Sequence, residues 1–471
     1  MQRLLIVSNR LPVTIQKRKG ELHVEPSVGG LATGLSSWYK SSNSTWIGWA
    51  GIGLKKIKKD QDIMARLQSE SCYPVSLTQS DVEAYYHGFC NSTIWPLFHY
   101  FPLYTTYSED YWQAYQRVNT AFANIVAGIA KPNDIIWVHD YHLMLLPKLL
   151  RERLPRATVG FFLHIPFPSF EVFRLLPWRE QIMEGLLGAD LIGFHTHDYT
   201  GHFLDSAHRL LGHEVAMGQL TVDDHVVRTD AFPMGINFDQ FSSVAADEKA
   251  QAEIKRFRKK TRDCKVILSV DRLDYTKGIP QRLEAFSVFL DNNPRFQRKV
   301  IFVLLVVPSR TRVEHYVQLK QQVDRLVGEI NGKHGAIGWM PIWYLYRPLP
   351  FHSLAALYKL ADVALVTPLR DGMNLVAKEY VATKTDGKGV LILSETAGAA
   401  QELGEALIIN ANNQEDIAQA LAKALEMPEQ EQIERNRVMQ KRLRHYNVER
   451  WANEFIDSLL YTQRQDQEPG S

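Results

Sequence analysis

Short, uniformly apolar runs alternate with segments of helical period along nearly the whole chain. In the first half the runs are Leu4–Ser8, Thr45–Trp49, Ile135–Val138, Val159–His164, Leu191–Phe194 and Thr229–Phe232, with helical patterns such as Tyr141–Arg153 between several of them. Apolar throughout rather than alternating, these runs read as strands buried on both faces, as in parallel sheets covered by crossover helices. After Pro233-Met234-Gly235-Ile236-Asn237 the series restarts with Val266–Val270, Val300–Val307, Trp343–Tyr346, Val363–Thr367, Val390–Leu393 and Ala406–Ile409. The restart predicts two doubly wound α/β domains, 1–236 and 237–449, with a deep cleft between the carboxyl ends of their strands, where open α/β sheets bind ligands. Glu415–Met427 and Glu429–Leu460 read as helices, the stretch from about 450 to 465 packing back on the first domain, and Gln465–Ser471 reads as disordered.

Composition narrows the class. The 471 residues carry 54 Lys+Arg against 52 Asp+Glu, a net charge of +2, so no global field points to nucleic acid or a membrane surface, and any anion must be met locally. Three cysteines, Cys72, Cys90 and Cys264, lack zinc-like or CxxC spacing, which argues against a disulfide framework and for a reducing compartment. The longest apolar run, Val300–Val307, is far shorter than a bilayer span, and Met1 leads straight into a strand-like LLIVS instead of a signal peptide. A cytoplasmic location is expected.

Chemistry collects at the predicted strand ends. The first strand runs into Asn9-Arg10, then a basic hairpin, then Gly29-Gly30-Leu31, whose glycines open a helix and admit a ligand to backbone N–H groups; a Gly-Gly turn is also a common structural device, and the spacing is not that of a dinucleotide fingerprint. Ile135–Val138 ends in His139-Asp140-Tyr141-His142, and Val159–His164 is followed by Ile165-Pro166-Phe167-Pro168, whose prolines hold the His164 imidazole still. These histidines, with His195, His197 and Asp198, suggest a metal site, but His and Asp at strand ends more often orient hydroxyls, and Asp140 alternatively caps the helix after it. In the second half, Arg272 and Lys277 share one loop and form a local positive pocket, unless Arg272 merely pairs with Asp271 or Asp274; Arg310 and Arg312 mark a second basic strand end. Val363–Thr367 leads through Arg370–Met373 into a helix from Asn374 to about Ala382. Its N-terminal amides with Arg272 and Lys277 describe a diphosphate site, while Asp371 and Glu379 suit sugar hydroxyls.

The combination of SNR at Ser8–Arg10, GGL at Gly29–Leu31, WP at Trp95-Pro96, HDYHL at His139–Leu143, FFLHIPFP at Phe161–Pro168, RLDYTKG at Arg272–Gly278 and TPLRDGMNLVAKEY at Thr367–Tyr380 resembles the trehalose-6-phosphate synthases, retaining glycosyltransferases of family 20 with two Rossmann-like domains (the GT-B fold). The resemblance implies glucose transfer from a nucleoside-diphosphate glucose, usually UDP-glucose, to glucose 6-phosphate, forming α,α-trehalose 6-phosphate, without cofactor or metal. It implies that Arg272 and Lys277 bind the diphosphate, Glu379 the ribose, and Asp371 with Gly372, Met373, Asn374 and Leu375 the donor glucose and phosphates. His164 falls at the reacting end of the donor sugar, Gly30 in the loop closing over it, Asp140 on the acceptor hydroxyls, and Arg10, Tyr86, Trp95 and Arg310 on the acceptor phosphate. Without the resemblance Tyr86 and Trp95 read as core aromatics, and the base pocket near Trp343–His352 carries no transferable signature. Family chemistry implies front-face substitution. A glucosylglycerol-phosphate synthase, a pseudo-glycosyltransferase and a silent sugar-phosphate sensor are the alternatives. A homo-oligomer and a separate trehalose-phosphate phosphatase are the macromolecular partners left open, the chain ending before a fused phosphatase would fit.

Overall fold

The computed structural model describes residues 2–18, 21–27, 34–35, 38–39, 43–52, 60–222, 225–262, 264–310 and 313–467. It divides into two compact units, Met1–Met234 with Val448–Ser471, and Gly235–Asn447.

The first unit is built on β1 (Leu4–Arg10), the hairpin β2 (Val13–Arg18) and β3 (Glu21–Pro26), then β4 (Ser44–Trp49), β5 (Cys72–Val75), β6 (Ile135–His139), β7 (Thr158–Phe162), β8 (Leu191–Phe194), β9 (Val215–Ala216), β10 (Gln219–Val222) and β11 (His225–Ala231). Its nine-stranded sheet has the order β5-β4-β1-β6-β7-β8-β11-β10-β9, parallel except for β10 and β9 at one edge. Every residue of β6 and β7 is buried, which explains their unbroken apolar character. One covering element comes from the far end of the chain: helix Val448–Gln467 sets Phe455 against Trp137 and Phe162, at ring-centroid distances of 4.7 and 5.8 Å, and Trp451 donates from Nε1 to the Phe232 carbonyl (3.1 Å). Gly160 and Gly193 lie beneath it, where a Cβ would meet a Phe455 ring carbon at 2.7 Å.

The second unit contains β12 (Lys265–Arg272), β13 (Val300–Val307), β14 (Ile342–Tyr346), β15 (Val363–Val366), β16 (Val390–Ser394) and β17 (Leu407–Ile409). All are parallel, in the order β14-β13-β12-β15-β16-β17. Counted from β12, this is the 3-2-1-4-5-6 winding whose direction reverses between the first and fourth strands. The first unit follows the same rule around β1 and β6. Those two reversal points, one per unit, are where the sequence places most of its candidate residues.

Three local expectations differ. Tyr141–Arg153 is not one helix: a 3-10 turn, Tyr141–Leu143, precedes helix Leu146–Arg153. Glu429–Leu460 breaks at Tyr446-Asn447 into Glu429–His445 and Val448–Gln467, where the chain leaves the second unit. That last helix also runs into the tail read as disordered, of which residues 468–471 lie outside the described residues. No helix among the described residues is long and apolar enough to cross a membrane.

Candidate active site

In the first unit the SNR stretch forms an irregular strand end. The register of β1 on β4 shifts between Val7 and Arg10, and Ser8 closes the distortion by donating to the Arg10 carbonyl (2.7 Å) while accepting from Trp46 Nε1 (2.8 Å). Such bulges re-aim side chains. Gly48 makes this one fit, since a Cβ there would lie 2.7 Å from the Arg10 carbonyl carbon. The Arg10 guanidinium then lies over Trp49 (4.7 Å to the centroid) and Tyr86 (5.3 Å). Tyr86 is carried by an unusual π-helix, Val82–Ile94, and stacks on His142 at 5.8 Å and 11°. Wide helical turns of this kind are rare and concentrate at functional sites.

Asp140 follows β6 with φ 75° and ψ 165°, a region held almost only by glycine. It makes no helix-capping bond; its carboxylate instead accepts from the His164 backbone N–H (3.3 Å) and faces His142 Nδ1 at 3.6 Å. The capping alternative therefore fails. Burial pushes the Asp140 carboxyl up, but the adjacent His142, with His164 and the Tyr141 N–H, outweighs it and holds the pKa at about 2. Burial drives His164 down to about 4, with Asp140 opposing, so its ring is neutral at neutral pH. His139 Nδ1 lies 3.1 Å from His164 Nε2, and burial keeps His139 neutral as well. Among the described residues no group of three or more His, Cys, Asp and Glu side chains is arranged to hold a metal ion. Trp95 is buried, its ring 4.1 Å from that of His99 and 5.8 Å from that of Tyr141. Gly30 lies outside the described residues.

In the second unit the loops after β12 and β15 are bonded to each other: Leu369 N donates to the Thr276 carbonyl (2.7 Å). Lys277 Nζ lies 2.6 Å from Asp371 Oδ2, which also accepts from Asn374 Nδ2 at 3.0 Å. Asn374 itself sits at φ 74° and caps helix Leu375–Thr383 by accepting from Ala377 N (3.2 Å). The loop is held from below, where Gly398 N donates to the Asp371 carbonyl (3.2 Å) and Ala399 N to that of Met373 (2.7 Å). A Cβ on Gly398 would strike the Gly372 oxygen at 2.1 Å, so only glycine fits. Gly372, Met373 and Asn374 are buried and Leu375 is half-buried.

Glu379 is half-buried on the same helix and accepts from Tyr358 OH (2.8 Å); burial raises its carboxyl to about 6. Arg272 is an exposed side chain at the end of β12, and the two carboxylates nearest it in sequence are engaged by other arginines. Asp271 Oδ2 takes Arg282 NH1 (2.6 Å), and Asp274 takes Arg310 NH1 (3.2 Å), whose guanidinium also reaches the Tyr316 hydroxyl. Burial pushes Asp274 up, but the charges of Arg310, Arg272 and Lys277 together with the Thr276 N–H outweigh it and the pKa is lowered. Arg310, at φ 48°, is thus fixed within its own unit.

The residue that sequence reading missed is Arg282. Fully buried, it bonds Ser269 and Asp271 at the end of β12, Thr367 Oγ1 after β15 (2.8 Å) and the Lys277 carbonyl (2.9 Å). It ties together the two strand ends and the loop that carries Lys277. Its partners are scattered over the sequence, so no spacing signals it. Trp49 escaped for the same reason, whereas His139 and His142 were read only as possible metal ligands and not as the partners of His164 and Asp140.

Comparison with known proteins gives the family and the fold. The family model "Glycosyltransferase family 20" matches residues 2–461. A bifunctional trehalose-6-phosphate synthase/phosphatase of Thermoproteus tenax is 50% identical over 469 residues, 97% of this chain, which spans 63% of that relative's length. Among solved structures, an α,α-trehalose-phosphate synthase (UDP-forming) from Burkholderia xenovorans in complex with glucose-6-phosphate superposes with a TM-score of 0.88 at 34% identity, covering 97% of this chain and 100% of that one. A trehalose-6-phosphate structure from E. coli bound with UDP-2-fluoro glucose gives 0.86 at 34% identity, covering 97% and 99%. Two α/β units with parallel sheets, the GT-B class, and a family match across almost the whole sequence lead to one conclusion: the chain belongs to glycosyltransferase family 20.

Proposed function

We propose that this chain is a UDP-forming α,α-trehalose-phosphate synthase, moving glucose with retention from UDP-glucose to the anomeric hydroxyl of glucose 6-phosphate. The observation that carries the reading is the Lys277–Asp371–Asn374 cluster, with an ammonium 2.6 Å from a carboxylate at the N-terminus of helix Leu375–Thr383. A cation beside a helix N-terminus suits a diphosphate, and the carboxylate suits sugar hydroxyls. The glucose-6-phosphate and UDP-2-fluoro glucose bound to the two structural relatives support the same substrate pair.

In this reading Arg272, Lys277 and the backbone of Gly372–Leu375 take the diphosphate, Glu379 the ribose and Asp371 the donor glucose. Gly30 belongs to the loop over the donor. His164, neutral, meets the donor sugar, while Asp140, ionised, accepts from acceptor hydroxyls. Arg10, Tyr86, Trp95 and Arg310 take the acceptor phosphate. Arg10 is backed by two aromatic rings, which leaves its in-plane N–H groups for phosphate oxygens. The acceptor oxygen attacks the anomeric carbon on the face from which UDP departs; the new C–O bond forms as the old one breaks, and the acceptor proton passes to a leaving phosphate oxygen. The protein contributes positioning and stabilisation of the departing diphosphate. A cytoplasmic site of action fits three unbridged cysteines, and the product suits a phosphatase of the kind fused to the T. tenax relative.

The test is incubation with glucose 6-phosphate and a panel of nucleoside-diphosphate glucoses, with mass detection of a non-reducing disaccharide phosphate. UDP-glucose should give the highest kcat/KM. Failure to form the disaccharide phosphate from any donor would overturn the reading. Arg10→Ala and Arg310→Ala should each shrink the preference for glucose 6-phosphate over glucose by roughly 10²-fold, equivalent to about 3 kcal/mol.

A further inference from the structure

The candidate active site lies at the carboxyl end of β12. At the amino end of the same strand, about 23 Å away by the rise of about 3.3 Å per residue, is a depression of about 520 Å³ lined by Arg258, Lys259, Arg262, Cys264, Lys265 and Asp362 among others. Its volume is in the range of about 300–1,000 Å³ common to small-molecule sites. Four of these side chains are cations and one is a carboxylate. Asp362 is already committed, with Oδ1 2.9 Å from Lys265 Nζ and Oδ2 accepting from Val266 N at 2.8 Å. Arg258, Lys259 and Arg262 have no ion-pair partner among the described residues.

Basic residues in the last turn of helix Glu248–Thr261 are partly explained by the carbonyl ends they face. That does not account for Arg262, which lies beyond the helix at φ 52° and ψ −130°, a backbone conformation costly for any residue but glycine. Nor does it account for four cations gathered on one concave surface of a chain whose net charge is only +2. Two guanidinium forks and two ammonium groups match phosphate oxygens in both geometry and charge.

We propose that this depression is a second anion site, at the opposite end of the sheet from the active site, that binds a small phosphorylated ligand carrying at least two negative charges. A concave surface of this size favours a small anion over a nucleic-acid backbone, which would need an extended basic track.

Cys264 lines the depression and is the partly exposed thiol of the three, Cys72 and Cys90 being buried. The test is the rate of Cys264 alkylation by iodoacetamide in the full chain, followed by peptide mass, with and without inorganic pyrophosphate. Millimolar pyrophosphate should slow alkylation about fivefold, the occlusion expected at a few times Kd. The variant Arg258→Ser with Arg262→Ser should lose the protection. Lys277→Ala, altered only at the active site, should keep it. Lys259→Glu, at an exposed helix position, serves as a second variant should the double one misfold, and should weaken the protection. Absence of protection in the unaltered chain, equal protection in the charge variants, its loss in Lys277→Ala, or protection by an RNA oligomer and not by pyrophosphate would each overturn the proposal.

Discussion

Asp371 holds the Lys277 ammonium at 2.6 Å, and both side chains are largely buried. Truncating Lys277 removes a cation and strands a carboxylate, so Lys277→Ala should lose on the order of 2–5 kcal/mol in kcat/KM for the nucleotide sugar. Steady-state kinetics with UDP-glucose decide this, and a near-normal value would remove Lys277 from the donor site. Three buried groups, His164 and Asp140 in the first unit and Glu379 in the second, give opposing pH signatures. His164, lowered to about 4, contributes stability that is full above its unfolded pKa and is lost as pH falls from about 6.5 towards 4. Asp140, lowered to about 2, acts in the same sense at more acid pH. Glu379 has the opposite sign, because a carboxyl raised to about 6 contributes stability below its unfolded pKa that is lost as pH rises through 6. Urea unfolding across this range should therefore show Glu379→Gln gaining stability over the unaltered chain at pH 7 and matching it near pH 4.5. His164→Gln should flatten the acid limb. Parallel curves for both variants would contradict the burial assigned to them.

At the scale of elements, Arg282 binds the ends of β12 and β15 to the Lys277 loop. Arg282→Met leaves Asp271 buried without its partner and should destabilise the second unit by about 3–5 kcal/mol, read as a lower urea midpoint. Arg282→Lys, retaining the charge without the fork, should fold better while still raising KM for the donor. The strands themselves were legible: each apolar run read from the sequence lies on a strand, most plainly in β6, β7, β8, β15 and β16, where burial on both faces leaves no polar position to obscure the pattern. The elements that escaped have weaker grammar. β5 is only four residues long and contains Pro74, β9 and β10 lie at an antiparallel edge, and the π-helix Val82–Ile94 has a period that an α-helical pattern does not match. The site residues on strand ends, such as Arg10, Asp140 and Lys277, were legible by position, and the side chains that aim them were not. Trp49 under Arg10 reads locally as a core aromatic and Arg282 under Lys277 as an ordinary charged helix residue, and only the fold brings them to their partners.

For the whole molecule, diphosphate neutralisation is assigned to Arg272, Lys277 and helix amides, so exhaustive chelation should leave activity within about twofold. A complete loss reversed by one divalent ion would displace those side chains from the centre of the reaction. The chain also passes between its units twice, after Met234 and after Asn447, and at the second unit's end these points adjoin: a Cβ on Gly235 would lie 2.5 Å from the Asn447 carbonyl carbon.

The return of Val448–Gln467 to the first sheet has a consequence for how the protein is born. On the ribosome the strands of the first unit emerge early, yet the helix that lays Trp451 and Phe455 over Trp137, Phe162 and Phe232 is translated only after the whole of Gly235–Asn447. At about 5–20 residues per second, that aromatic surface waits on the order of tens of seconds for its cover. A nascent chain stalled near Asn447 should bind hydrophobic dyes and chaperones strongly, and should release them once the last twenty or so residues clear the exit tunnel.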